Sequence, residues 1–123
     1  MSARIDGYRD LIVWGRAMDL AEQAYFVSKR FPHEERYGLT SQIRRAAASV
    51  PANIAEGYGR QTRPAYVSHL RIAQGSLKEL ETHLMLAARV QLCSSAEIEP
   101  LLADADEIGR MLRALIVKLT AKR

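Results

Sequence analysis

The chain has 123 residues, of which 48% are hydrophobic and 26% charged, and it carries a net charge of +4. That length suits a single domain, residues 1–123, and that composition excludes a disordered chain. No run of about 18 uncharged apolar residues occurs, so no membrane-spanning helix is predicted.

The opening stretch, MSARIDGYRD, lacks an apolar core, so no secretory signal is expected. The first helix is predicted over about residues 10–30. It carries two apolar stripes in steps of three and four. One is Leu11, Trp14, Met18, Ala21 and Tyr25; the other is Val13, Ala17, Leu20, Ala24, Val27 and Phe31. One stripe serves one packing face, so two predict deeper burial or a second packing partner. Pro32 then breaks the pattern within FPHEER.

The second helix is predicted over about residues 38–59, with the stripe Leu39, Ile43, Ala46, Val50, Asn53 and Gly57. Pro51 removes a backbone donor and presses on the carbonyl of Ala47. Because Ala46, Ala47, Ala48 and Ser49 are small, a bent helix is expected rather than two helices; the alternative is a break with Ser49 as a new N-cap. An amide on a core stripe costs about 1–3 kcal/mol if it is left unpaired. Asn53 is therefore expected to bond a neighbouring helix, with Glu56 in reach on the same flank. Gly57 and Gly59 read as helix-ending residues able to take a left-handed cap. They form no dinucleotide fingerprint: position 62 is Thr, and the motif would follow a helix instead of a strand.

The third helix is predicted over about residues 63–91, with Thr62 as N-cap and Pro64 in the first turn. Its stripe is Tyr66, Leu70, Ala73, Leu77, Leu80, Leu84 and Ala87. Next comes Cys93, the single cysteine, which allows no intrachain disulfide and fits a reducing cytosol. The fourth helix, about residues 95–120, opens with Ser94 and Glu97 at capping-box spacing. Its stripe is Ile98, Leu101, Ala105, Ile108, Leu112, Leu115 and Leu119; acids lead it and bases close it. No segment alternates with period two. The pattern predicts an all-α fold, an antiparallel up-down four-helix bundle.

Catalytic chemistry is sparse. Glu79-Leu80-Glu81-Thr82-His83 lacks the Glu-x-x-His spacing of di-iron bundles. His69 and His83 would stand about 21 Å apart on one helix, too far for one metal. These histidines, with His33, read as surface or core fillers. No catalytic residue, metal or cofactor is expected. An enzyme would need a buried polar site around Asn53 and Glu56.

The charge excess is local. Residues 37–91 hold seven bases, Arg44, Arg45, Arg60, Arg63, Arg71, Lys78 and Arg89, against three acids, whereas the segments on either side are balanced. A localised positive field favours anionic partners. Arg71, Gly75, Lys78, Thr82, Met85 and Arg89 form a stripe roughly 140° from the core stripe of the third helix. It reads either as a solvated face or as a phosphate-contacting edge, extended by Arg60 and Arg63. Tyr58 and Tyr66 near that corner are candidates for stacking on bases. Gly75 costs about 1 kcal/mol against Ala, which points to close approach by another chain.

YRDLIVWGRAMDLA, YGLTSQIRRAAASVPANIAEGYGR and HLRIAQGSLKELETHLMLA together resemble the four-helix-bundle family first noted as proteins encoded in 23S rRNA intervening sequences. The resemblance covers about residues 8–92. It implies a left-handed up-down bundle assembled as a homopentamer. Its relatives include accessory proteins of diversity-generating retroelements, which bind nucleic acid and a reverse transcriptase. The family brings no catalytic residues. Two functions follow as expectations. One is a cytoplasmic homopentameric scaffold that binds RNA or single-stranded DNA through Arg60, Arg63, Arg71 and Lys78, with Arg44, Arg45 and Arg89 secondary. The other is a self-assembly and protein-interaction module that binds no nucleic acid; the protein partner is a reverse transcriptase or another protein.

Overall fold

The computed structural model describes residues 4–121. Four helices make up most of them: α1, Ile12–Lys29; α2, Leu39–Tyr58; α3, Arg63–Arg89; and α4, Ser95–Thr120. Short 3-10 turns at Tyr8–Asp10 and His33–Glu35 precede α1 and α2. The described residues contain no strand. Each helix packs on two others, α1 on α2 and α4, and α3 on α2 and α4. With short connections between consecutive helices, this is an antiparallel four-helix bundle.

Steps of three and four put one face of each helix in a common core. Val13, Ala17, Leu20 and Ala24 of α1 face Ile43, Ala47, Val50 and Ile54 of α2 across the same interior as Leu70, Leu77, Leu80 and Leu84 of α3 and Ile98, Ala105, Ile108 and Leu112 of α4. Burying a Leu or Ile contributes about 1.5–3 kcal/mol. The second stripe of α1 is thus the buried one. The first stripe lies along its border, with Trp14 half-buried and Met18 and Tyr25 exposed.

Two core positions differ from the sequence reading. In α2 the buried residue is Ile54, fully enclosed, and Asn53 stands beside it at the edge. Near the end of α4, Ile116 is buried while Leu115 and Leu119 are only partly so. Both shifts have one cause: a helix of 3.6 residues per turn drifts against a seven-residue pattern.

Helix α2 runs unbroken through Pro51, whose side chain is buried, so Ser49 is no N-cap. The glycines also differ from expectation. Gly57 lies inside α2, and Gly59 caps it at φ −78°, a right-handed conformation. The left-handed residue is Gln91, at φ +67°. It ends α3 in a Schellman motif: the Leu92 amide donates to Ala87 O at 2.9 Å and the Gln91 amide to Ala88 O at 3.1 Å. At the other termini, Thr62 Oγ1 accepts from the Ala65 amide at 3.2 Å. Ser94 and Glu97 complete a capping box, and Glu97 also pairs with Arg30, which ties the end of α1 to the start of α4.

Candidate nucleic-acid interface

The antiparallel topology turns the order of charges along the chain into a difference between the two ends of the bundle. No acid occurs from Gly57 to Lys78, and none follows Glu107. These two segments meet. Arg63 and Arg71 of α3 share a groove with Leu119 and Thr120 of α4. About two turns further, Lys78 shares a second groove with Arg110, Arg113 and the carboxylate of Asp106. The α2–α3 turn, α3 as far as its middle and the closing half of α4 therefore carry Arg60, Arg63, Arg71, Lys78, Arg110, Arg113 and Lys118, all exposed, from one end of the bundle to its middle. The acids Glu97, Glu99, Asp104, Asp106 and Glu107 lie in the opposite half of α4.

Neutralisation within this end is partial. Lys78 pairs with Glu81 at 3.3 Å, and Arg110 with Asp106 at 2.8 Å. Among the described residues, no carboxylate lies within 4.0 Å of Arg63, Arg71 or Arg113. Exposed pairs contribute at most about 1 kcal/mol, so Lys78 and Arg110 stay available to a stronger anion.

The secondary cations divide. Arg44 is engaged inside the protein: its Nε donates to Ser28 Oγ at 2.9 Å, and its guanidinium sits 4.7 Å from the Tyr25 ring centre. It joins α1 to α2. Arg45 lies in a polar groove between α2 and α3 with Glu79. Arg89 lies at the far end of α3, in a groove with Glu99. Neither lies in the two grooves between α3 and α4 that hold Arg63, Arg71, Lys78, Arg110 and Arg113.

Tyr58 and Tyr66 are half-buried and packed edge-to-face, with ring centres 6.1 Å apart. Burial raises the Tyr66 phenol above its ordinary pKa. Their mutual packing uses the corner aromatics that a base would stack on. Gly75 is exposed, and a Cβ built on it meets nothing within 4 Å, so no part of its own chain requires that glycine.

Asn53 meets its expected need for partners, and it does so through His69, which the sequence reads as a surface or core filler. Its Nδ2 donates to Ser49 O at 2.9 Å and to Ser49 Oγ at 3.0 Å. Its Oδ1 lies 3.1 Å from His69 Nδ1 across the α2–α3 interface. Glu56 Oε2 is 3.5 Å from the same nitrogen, and Arg60 Nε donates to His69 Nε2 at 3.2 Å. His69 is therefore neither a filler nor isolated. Arg110, Arg113 and Lys118 were also missed, because residues 92–123 are neutral in sum. The available signal was order: acids first and bases last in a helix that must return beside Arg63.

Among the described residues, no group of three or more His, Cys, Asp or Glu side chains could hold a metal ion. No helix among them is long and apolar enough to cross a membrane. Fold and surface together define a small four-helix bundle with one cationic end. The chain belongs to the 23S rRNA-intervening sequence protein family, which it matches over residues 9–114. It is also similar to a solved structure from Bacteroides thetaiotaomicron, a protein with unknown function from the S23 ribosomal protein family. The two share 26% identity over 85% of this chain and 98% of that one, with a TM-score of 0.79. No curated protein matches the chain.

Proposed function

We propose that this protein is a non-enzymatic, cytoplasmic scaffold that assembles as a homopentamer and binds RNA or single-stranded nucleic acid through phosphate contacts at its cationic end. The observation carrying this reading is the meeting of two acid-free segments, from Gly57 to Lys78 and after Glu107, on one end of the bundle. Arg60, Arg63, Arg71 and Lys78 are the primary contacts, joined by Arg110 and Arg113. Five copies at +4 each would carry +20 on one particle, a field that attracts and holds a polyanion. Assembly is supported by an open apolar groove of about 510 Å³ between α1 and α2, lined by Tyr8, Trp14, Met18 and Tyr25 opposite Ala48, Pro51, Ala52 and Ala55.

The test is charge reversal. Arg63→Glu, Arg71→Glu and Lys78→Glu are combined, and the mass is checked by sedimentation. Loss of RNA binding by an intact pentamer is the expected result. Undiminished binding would refute the assignment of the surface.

That same groove favours a second reading, a protein-interaction module whose partner, a reverse transcriptase or another protein, docks on α1 and α2. Substituting Met18→Glu would then abolish partner capture, while the wild type would show no RNA binding at all.

A further inference from the structure

Arg60, unlike Arg63, Arg71 and Arg113, is held by a side chain of the bundle, and its partner is an imidazole where Lys78 and Arg110 meet carboxylates. Its Nε donates to His69 Nε2 at 3.2 Å, so that ring nitrogen must be the acceptor and the ring proton sits on Nδ1. The Nδ1 proton faces Asn53 Oδ1 at 3.1 Å. Asn53 is oriented in turn, because its Nδ2 donates to Ser49 O and Oγ. Ser49 Oγ in turn lies 2.7 Å from Ser76 Oγ, a hydroxyl pair in which either can donate. The hydrogen bonds run in one direction from Arg60 through His69 and Asn53 to Ser49, and Ser49 is bonded to the buried Ser76. The His69 side chain is only 17% exposed, so the chain is anchored between α2 and α3.

We propose that His69 is a positioning residue for phosphate binding, and that it holds Arg60 at the α2–α3 turn with its two terminal guanidinium nitrogens free for one phosphate of a nucleic acid. The inference rests on the nucleic-acid reading above. An exposed arginine has to give up rotamer freedom when it grips an anion. One whose Nε is already engaged gives up less and presents a fixed fork, the geometry that suits phosphate. Glu56 Oε2, 3.5 Å from Nδ1, reinforces the tautomer that leaves Nε2 free to accept. Arg63 and Arg71 have no such partner among the described side-chain hydrogen bonds and act as mobile charges.

The test uses the full chain and a 20-nucleotide single-stranded RNA, with Arg60→Ala, His69→Leu, the double variant, Asn53→Ala and Arg71→Ala. His69→Leu changes no charge on a neutral ring. It is nevertheless expected to weaken binding roughly fivefold to tenfold, as Arg60→Ala does, and to lower the slope of log affinity against log salt by about one phosphate contact. The double variant should bind no worse than either single one, whereas Arg71→Ala should add to His69→Leu. A structural role alone would lower the melting temperature and leave the salt slope unchanged. If His69→Leu fails to fold, Asn53→Ala, which frees the ring and leaves Arg60 in place, should shift affinity in the same direction. Wild-type affinity and slope in both His69→Leu and Asn53→Ala overturn the proposal. So does an Arg60→Ala variant that binds normally while Arg71→Ala does not; in that case the cationic end still binds RNA, and only the positioning role is lost. An unmutated chain that binds no RNA removes the nucleic-acid reading itself.

Discussion

Gly57 of α2 lies against His69 of α3 so closely that a Cβ added at position 57 would come within 2.9 Å of the His69 Cβ and 3.1 Å of the Tyr66 carbonyl oxygen. A missing side chain here lets two helices approach closely enough for Asn53 to reach His69. Gly57→Ala must push α2 and α3 apart at that crossing. It is expected to cost about 1–3 kcal/mol, measured by urea unfolding. An alanine tolerated without loss would show that the crossing has slack.

Gly75 predicts the opposite sign. A Cβ there meets nothing within 4 Å, and mid-helix glycine costs about 1 kcal/mol against alanine. Gly75→Ala should therefore stabilise the folded chain by about that amount. If sibling chains meet at this residue, the same substitution would instead reduce the sedimentation mass, a distinction one experiment makes.

Gln91 occupies a left-handed conformation, φ +67°, which costs a residue with a side chain about 1 kcal/mol and glycine almost nothing. Gln91→Gly should raise stability by about 0.5–1 kcal/mol while keeping both Schellman hydrogen bonds. A lower urea midpoint in this variant would mean that the glutamine side chain contributes something its backbone does not reveal.

Acid should loosen the contact between α1 and α4. Arg16 donates a 2.7 Å hydrogen bond to Glu107, and this bond, then the charge itself, holds the Glu107 carboxyl below its ordinary pKa. A carboxylate depressed in the folded state contributes stability above its unfolded pKa and loses it as pH falls through the folded one. Melting temperatures at neutral and strongly acidic pH should therefore differ less in Arg16→Gln than in the wild type. The pair is exposed, so the change is expected to be small. An unchanged difference would exclude the pair as a contributor.

The four helices are legible in the sequence because leucine and isoleucine spacing reports the period directly, and because Thr62, Ser94 and Pro64 mark starts by their own chemistry. Asn53 and Ile54 are not separable that way. Neighbours in sequence lie only about 100° apart on a helix, and small drift decides which faces inward. Gly57 and Gln91 defeated the rule that glycine ends helices, since close packing rewards glycine at 57 and the local Schellman hydrogen bonds accompany a left-handed glutamine at 91. The basic middle segment was visible, but its partnership with Arg113 depends on which helix returns beside which, a relation between distant residues that no local pattern encodes.

The decisive measurement is the affinity for a short RNA as a function of salt. If Arg60, Arg63, Arg71 and Lys78 each neutralise one phosphate, affinity should fall by roughly 50-fold or more between about 50 and 200 mM salt. Replacing Arg63 and Arg71 by alanine should flatten that slope by about two phosphate contacts. A chain of intact mass that binds no RNA at the lower salt, or binds it equally at both, contradicts phosphate recognition by this end of the bundle.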